Sequence, residues 1–392
     1  MVNWSLKKQI QRPIGLDIGH NWVKMIQLSI DNGQIGVVAA DKILIAPEIN
    51  GDGERRRDFV VSAIKELLAR GSFSGKDVVS CLPNDGLKIT SLRVSGEQSE
   101  DIEKILMKEA SHRFGLDPET DTINYLVAGE VQQGAEVKNE LILFAADNET
   151  IKSHIEMLED MQLRPAAIDT VPCALFRSFG RSLRREEDRD RTVVFVDVGS
   201  RFTTVVFGRK EQICFVKQIS VGGDNFDRQI ASKLGISIDQ ARILRRKLRS
   251  ERLSNSSDTE SVTQMTESAP EQVGLDASTR QVMVDAISSV AEELAKEISL
   301  CFRYYTVTFR GKRGERAVFS GGEAYEQILL NVLKRQLSVE IEVAQPMRGF
   351  NMVNVNFDSD KRGLLCEWAV AVGLALKGWE DINSGTGDYE RN

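Results

Sequence analysis

The phrase "IGLDIGHNWVKMIQLS" at residues 14–29 returns far downstream as "VVFVDVGSRFTTVVFG". Setting Asp17 on Asp197 also sets Gly19 on Gly199. Each acid ends an apolar run, and each glycine turn leads into a second run, "VKMIQLS" or "TTVVFG". A polar break, "DNGQ" or "RKEQ", then opens a third, "IGVVAADKILI" or "QICFVKQISV". Runs of Val, Ile and Phe between Gly/Asn turns are strand signals. A duplication on this scale restricts the chain to folds built from two equivalent units. Helices and further strands follow, as in "RRDFVVSAIKELLAR" then "DVVSCLP". A β-β-β-α-β order with helical crossovers predicts an α/β fold whose mixed sheets are covered on both faces. At 392 residues the chain has room for two cores, since single cores stop growing at roughly 250–300 residues.

Material without a counterpart interrupts both halves. Between them, "GLKITSLRV", "TINYLVAG" and "ELILFAAD" read as strands. "SEDIEKILMKEASHRF" reads as a helix with Ile102, Ile105, Leu106 and Ala110 on one stripe, and "ETIKSHIEMLEDM" as a second helix. These predict a small α+β unit inserted at 86–165 into a first lobe made of 13–85 and 166–180. A charged connector, 181–191, leads to a second lobe at 192–225 and 315–350. The second lobe carries its own helical subdomain at 226–314. Within it "SNSSDTESVTQMTESAPEQ", poor in apolar residues, reads as a disordered loop near 250–275. A helix at 363–378, flanked by Trp368 and Trp379, reads as core and joins the first lobe. Residues 1–12 and 379–392 read as tails.

Composition narrows the function. A net charge of −7 argues against nucleic-acid binding. Cys81, Cys173, Cys214, Cys301 and Cys366 form no CxxC pair and fit reduced, buried thiols in a cytoplasmic protein. No apolar run approaches the roughly 20 residues that cross a bilayer. The N-terminus lacks the apolar core of an export signal. Trp4 with Lys7, Lys8 and Arg12 would touch an anionic membrane surface at most; a frayed tail is the plainer reading. The run "RRKLRSER", with Leu244 and Leu248 at helical spacing, reads as a solvated helix face. His112 and His154 read as surface residues. His20, with no Cys or other His nearby, is poor evidence for a metal.

The chemistry sits in the repeat. Asp17 and Asp197 would face each other across a cleft between the halves. Each precedes a glycine turn whose backbone N–H groups can approach an anion without a Cβ in the way. Mg²⁺ prefers carboxylate oxygens, often through retained water. A third element, "VFSGGEA" at 318–324, ends a strand at Gly321 and Gly322 and opens a helix, which suits a nucleoside beside the backbone. Against this, Asp is also an ordinary turn residue, and Lys24 alone reads as a solvated or paired lysine.

The two hairpins resemble the phosphate-1 and phosphate-2 motifs of the actin-like ATPase superfamily, and the insertion lies where the FtsA branch carries its 1C subdomain. "GLDIG…VKMIQLS", "DVGSRFTTVVF", "QISVGGDNFDRQIASKLGISIDQA", "EISLCFRYY", "VFSGGEA" and "WAVAVGLALKG" are similar, in order, to segments of the PilM family. The resemblance covers about residues 13–378. It implies a duplicated two-lobe, ribonuclease-H-type fold with an FtsA-type 1C insertion, binding ATP or ADP with Mg²⁺. It places Asp17, Gly19 and Lys24 at phosphate 1, Asp197, Gly199 and Thr203 at phosphate 2, Gly222 and Gly223 near the nucleotide, and Gly321 and Gly322 at the nucleoside. Asp17 and Asp197 would hold Mg²⁺ through water.

The same resemblance implies a cytoplasmic scaffold of a type IV pilus or related secretion machine, peripheral to the inner membrane and open to homo-oligomer formation. Its partner would be the N-terminal tail of a PilN-like bitopic inner-membrane protein, docked between the first lobe and the insertion. An FtsA-like filament former at the membrane is the alternative, disfavoured by the polar ending "DINSGTGDYERN"; a small-molecule kinase ranks below it. The chain departs from the family where His20, Asn21 and Trp22, and again Arg201 and Phe202, replace small residues. It also has Val171 where related enzymes place Glu or Gln before a proline, so no residue is assigned to hydrolysis.

Overall fold

The computed structural model describes residues 11–31, 33–49, 51–95, 99–117, 119–180, 191–256, 275–310, 312–353, 355, 357 and 364–377. The expectations for Trp4, Lys7 and Lys8, for most of the charged connector and the Ser/Thr-rich loop, and for Trp379 and the polar ending lie outside these residues.

Along the chain, strands β1 (Gln11–Ile18), β2 (Trp22–Asp31) and β3 (Gln34–Leu44) precede helix α1 (Gly53–Arg70) and β4 (Asp77–Cys81). Then come β5 (Lys88–Val94), α2 (Ser99–Phe114), β6 (Thr122–Gln133), β7 (Glu136–Ala146), α3 (Asn148–Asp160), β8 (Arg164–Asp169) and α4 (Val171–Gly180). The second half contributes β9 (Thr192–Val198), β10 (Thr203–Arg209), β11 (Gln212–Ile219), α5 (Gly223–Leu234), α6 (Ile238–Ser256) and α7 (Ala277–Thr308). It closes with β12 (Gly314–Ser320), α8 (Gln327–Gln336), β13 (Glu340–Val343) and α9 (Ala369–Ala375).

The repeat becomes two five-stranded sheets of the same order, β3-β2-β1-β4-β8 and β11-β10-β9-β12-β13. In each, an antiparallel meander is joined to parallel strands by a helical crossover. The material between β4 and α3 forms a separate three-stranded sheet, β5-β7-β6. After β13 the chain returns to the first sheet. Asn351 pairs with the edge of β3, its carbonyl accepting from Val37 N–H at 2.8 Å and its N–H donating to Ile35 at 2.8 Å. Met347 and Phe350 pack there with Ile26, Leu28 and Trp368, which covers an edge that would otherwise expose unpaired backbone.

The halves exchange their last helices. Helix α4 lies on the second sheet, with Phe179 stacked on Phe195 at 5.2 Å. Helix α9 lies on the first, so close that a Cβ on Gly15 would come within 2.3 Å of the Ala371 carbonyl oxygen. The two helices also cross each other, and a Cβ on Gly373 would meet the Ala174 oxygen at 1.8 Å. Among the described residues no helix is long and apolar enough to cross a membrane. His154, expected on the surface, is 6% exposed and lies 2.8 Å from Ser80 Oγ. Helix α3 turns that face onto β4, and the Ser80 hydroxyl satisfies a ring nitrogen that burial would otherwise leave unpaired.

Two outcomes follow from this packing. Gly373→Ala should cost at least about 1–3 kcal/mol through overpacking, although Ala is intrinsically better in a helix by about 1 kcal/mol. Urea unfolding that showed a gain would contradict the tight crossing. Burial holds His154 at about 4 against an ordinary 6.5, so the unfolded chain takes up its proton first as pH falls. Stability is therefore expected to drop between pH 6.5 and 4 by up to about 3 kcal/mol from this group, and His154→Gln should flatten that window.

Candidate functional site

The two hairpins share an atomic plan. Asp17 faces Lys24 across β1 and β2, and Asp197 faces Thr204 across β9 and β10. Gly19 N–H donates to the Trp22 carbonyl at 2.9 Å, and Gly199 N–H to that of Phe202 at 3.0 Å. In each turn a Cβ on the glycine would meet that same carbonyl oxygen at 3.1 Å. The glycine amides are thus used to close the turns, leaving the tips to present later backbone groups.

The carboxylates differ in their neutralisation. Lys24 Nζ donates to Asp17 Oδ2 at 2.7 Å; Asp17 is buried and Lys24 is largely shielded from water. Burial alone would depress the lysine, but Asp17 outweighs it with help from Asp197 and Glu367, and the net shift is upward. Lys24 therefore stays charged and lies in the fields of both strand-tip acids. Asp197 has no paired cation; Ser320 Oγ donates to its Oδ1 at 2.9 Å. Burial, reinforced by Asp17 and opposed by Ser320 and Lys24, pushes its carboxyl up to about 6. Thr204, where the repeat would set a second lysine, is fully buried, and its Oγ1 has no hydrogen-bond partner.

The remaining candidates are held by the protein itself. Thr203 Oγ1 donates to the Val221 carbonyl at 2.7 Å, tying β10 to the approach to α5. Gly222 N–H donates to Asn225 Oδ1 at 3.1 Å, and Gly223 N–H to the Gly199 carbonyl at 3.0 Å. A Cβ on Gly222 would lie 2.6 Å from the Gly199 and Ser200 oxygens, and one on Gly223 2.3 Å from Glu323 Oε1. These two glycines are required by close packing behind the second hairpin. Gly321 has φ +90° beneath Val198, while a Cβ on Gly322 would meet nothing within 4 Å. Gly322 alone of the four leaves open space beside the crevice.

The bulky departures bridge the lobes. His20 Nε2 lies 3.6 Å from Asp224 Oδ2 at the start of α5, and Arg201 Nη1 donates to Asp85 Oδ2 at 3.2 Å. Burial lowers the His20 pKa, with Asp224 opposing and Arg56 and Arg201 adding to the shift. Arg56 clamps the first turn by donating to the Gly19 and His20 carbonyls at 2.8 and 3.2 Å. Deeper in, Glu367 accepts from Lys42 Nζ at 2.9 Å and from Tyr325 OH at 2.5 Å. Ser320 lay inside a motif already singled out; Glu367, Lys42 and Tyr325 carry no local signal, because only the return of the chain brings them together.

The basic run on α6 is not the solvated face expected. Arg245 is 6% exposed and donates to Asp227 Oδ1 at 2.7 Å and Glu323 Oε2 at 2.8 Å. Arg249 reaches Glu326 Oε2 at 2.7 Å and also pairs with Glu323. Burial would raise Glu323, but Arg245 and Arg249 hold it down at about 2. Near the hydrolytic position, Val171 opens α4 and is buried. Asp169 is committed to Arg177 at 2.8 Å and Lys377 at 3.5 Å. Among the described residues no group of three or more His, Cys, Asp or Glu side chains is placed to hold a metal ion. The oxygen donors Asp17, Asp197 and Ser320 fit a cation such as Mg²⁺ that keeps water and phosphate ligands, but not a closed all-protein cage.

The Asp197 shift has a testable consequence. Its folded value lies above the unfolded one, so stability falls as pH rises from about 3.8 to about 6 and stays lower above that. Asp197 is only partly buried, so the cost is about 1–2 kcal/mol. Asp197→Asn should raise stability by that amount at pH 7.5 and leave it unchanged near pH 4, as read by urea unfolding.

Comparison with known proteins places this geometry in a family. The family model for the type IV pilus assembly protein PilM matches residues 15–280, well over half of the chain. A solved PilM-PilN type IV pilus biogenesis complex is similar at 21% identity, covering 94% of this chain and 98% of the matched one, with a TM-score of 0.73. The ethanolamine utilization protein EutJ from Carboxydothermus hydrogenoformans is similar at 13% identity, with 94% and 89% covered and a TM-score of 0.51. At these identities the structures speak for the fold, which is that of the actin-like ATPases. The chain belongs to the PilM family of type IV pilus assembly proteins.

Proposed function

We infer that this protein is a pilus-assembly scaffold that binds ATP or ADP in the crevice between its hairpins. We also infer that it takes the N-terminal tail of a PilN-like inner-membrane protein in the groove between the first lobe and the inserted unit, on the cytoplasmic face of the membrane. The observation that carries the nucleotide reading is the position of Lys24, hydrogen-bonded to Asp17 and within the electrostatic influence of Asp197. Lys24 would exchange part of its bond to Asp17 for a phosphate oxygen. Gly322 leaves room for the nucleoside, and Asp197 with Ser320 would orient the water around a bound Mg²⁺. The ion, when bound, neutralises phosphate charge and so relieves the cost of ionising Asp197. The partner reading rests on family membership and on the likeness to a chain solved in a PilM-PilN complex.

Nucleotide would act by favouring one lobe arrangement over another, and only through its differential affinity for the two. Turnover is expected to be slow, because Val171 offers no base and Asp169 is bound by two cations.

Titration calorimetry with ATP and ADP in Mg²⁺ should give micromolar or tighter binding. Lys24→Ala and Asp197→Ala should each weaken it at least tenfold, about 1.4 kcal/mol. No heat at high protein concentration would remove the nucleotide reading. Peptides from the cytoplasmic N-termini of PilN-like proteins, followed by fluorescence anisotropy, test the partner separately; absence of binding with and without nucleotide would remove that part.

A further inference from the structure

The inserted unit leaves the first lobe after β4 and rejoins it at α3, yet its contacts run to the other half. One face of its sheet carries Leu92, Leu141 and Leu143 under α2. The opposite face carries Ala128, Val131, Ile142 and Phe144, which join one continuous core with Ile213, Phe215 and Phe309 of the second lobe. Strand β11 is the principal strand neighbour of β5 and β6 outside their own sheet.

A buried charge lies at the edge of that core. Glu140 is 1% exposed. Its Oε2 accepts from Arg93 Nε at 2.9 Å, and its Oε1 accepts from the Tyr304 hydroxyl of α7 at 2.8 Å. Arg93 also donates to Thr308 Oγ1 on α7 at 3.1 Å. A carboxylate so far from water is tolerated only while its partners stay in place. Separating the inserted sheet from α7 would leave Glu140 its Arg93 but take away the Tyr304 hydroxyl, and would take Thr308 from Arg93. This network also gives a physical role to Tyr304 in "EISLCFRYY" that the crevice does not use.

The connector also touches the second lobe, through contacts nearer the surface. Between β4 and β5, Asn84 Oδ1 accepts from Gln218 Nε2 at 3.0 Å, and Asp85 Oδ2 accepts from Arg201 Nη1 at 3.2 Å. Arg201 stands two residues beyond Gly199, in the second hairpin turn. By contrast α3 grips the first lobe, through His154 to Ser80 and through Asp160 to Arg57 at 2.8 Å.

We propose that the inserted unit is a mechanical extension of the second lobe, held by Glu140, Arg93 and Tyr304, and pivots against the first lobe at its two connectors. Closure of the interlobe crevice and the width of the groove beside the first lobe then change together. Arg201 supplies the direct link, because displacement of the second hairpin by a ligand is passed to Asp85. The consequence for partner binding rests on the function proposed above; the mechanical statement does not.

Spin labels on the full chain test this without nucleotide or peptide. Lys108→Cys on α2 is paired with Lys334→Cys on α8, and separately with Lys65→Cys on α1; the native cysteines are buried or half-buried. Electron–electron resonance should give a narrower distance distribution for the 108–334 pair than for 108–65. Tyr304→Phe, which removes only the hydroxyl, and Arg93→Lys should each broaden the 108–334 distribution at least twofold. A wild-type 108–334 distribution as broad as that of 108–65 overturns the proposal, whatever the variants do. So does an unchanged 108–334 distribution in variants with native circular dichroism.

Discussion

The crossing of α4 and α9 is the contact on which the rest of the architecture depends. Each half gives its last helix to the other half's sheet, and the two helices touch backbone to backbone at Gly373 and Ala174. Arg177 of α4 reinforces the crossing by donating to the Gly373 carbonyl at 3.1 Å and to Asp169 at 2.8 Å. Because α9 also seats on β1 at Gly15, its approach fixes the height of the strand whose tip carries Asp17. Immediately before α9, Cys366 accepts the Gly321 N–H at 3.1 Å. One short segment thus positions both the first hairpin and the glycine loop of the second lobe.

That arrangement makes the crevice electrostatically uneven. The repeat supplies two carboxylates but one lysine, so Asp17 is neutralised within its own hairpin while Asp197 relies on Ser320 and a shared field. A carboxylate shielded from water and without a paired cation costs stability. The orphan hydroxyl of Thr204 beside it has the same character. The bulky residues at the hairpin tips carry contacts across the mouth, His20 to Asp224 and Arg201 to Asp85, and so replace flexibility with polar links between lobes.

The hairpins were legible because their signals are local: period-two runs, a glycine turn, and an acid at a fixed offset. Neither the inserted strands nor the long helices needed more than apolar spacing to be recognised. The basic run of α6 and the burial of His154 were misread for one reason. Spacing tells which residues share a face, but not what that face meets. Arg245 is buried because Glu323 and Asp227 arrive from distant segments to pair with it, and His154 because β4 supplies Ser80. Assigning the fold family rested on resemblance over most of the chain, which the short motifs alone would not have carried.

From its residues alone, then, this chain was committed to two equivalent units, each with an acid at a strand tip and a glycine in the turn behind it. Those features follow from steric and hydrogen-bonding preferences that act within a few residues. Only the tertiary structure decided that Lys24 belongs to Asp17, that Gly222 and Gly223 serve packing behind the hairpin, and that the inserted sheet leans on the second lobe. Each of these depends on which distant surfaces are buried against each other, and burial is what sets the cost of a charge, the need for a glycine and the partner of a carboxylate.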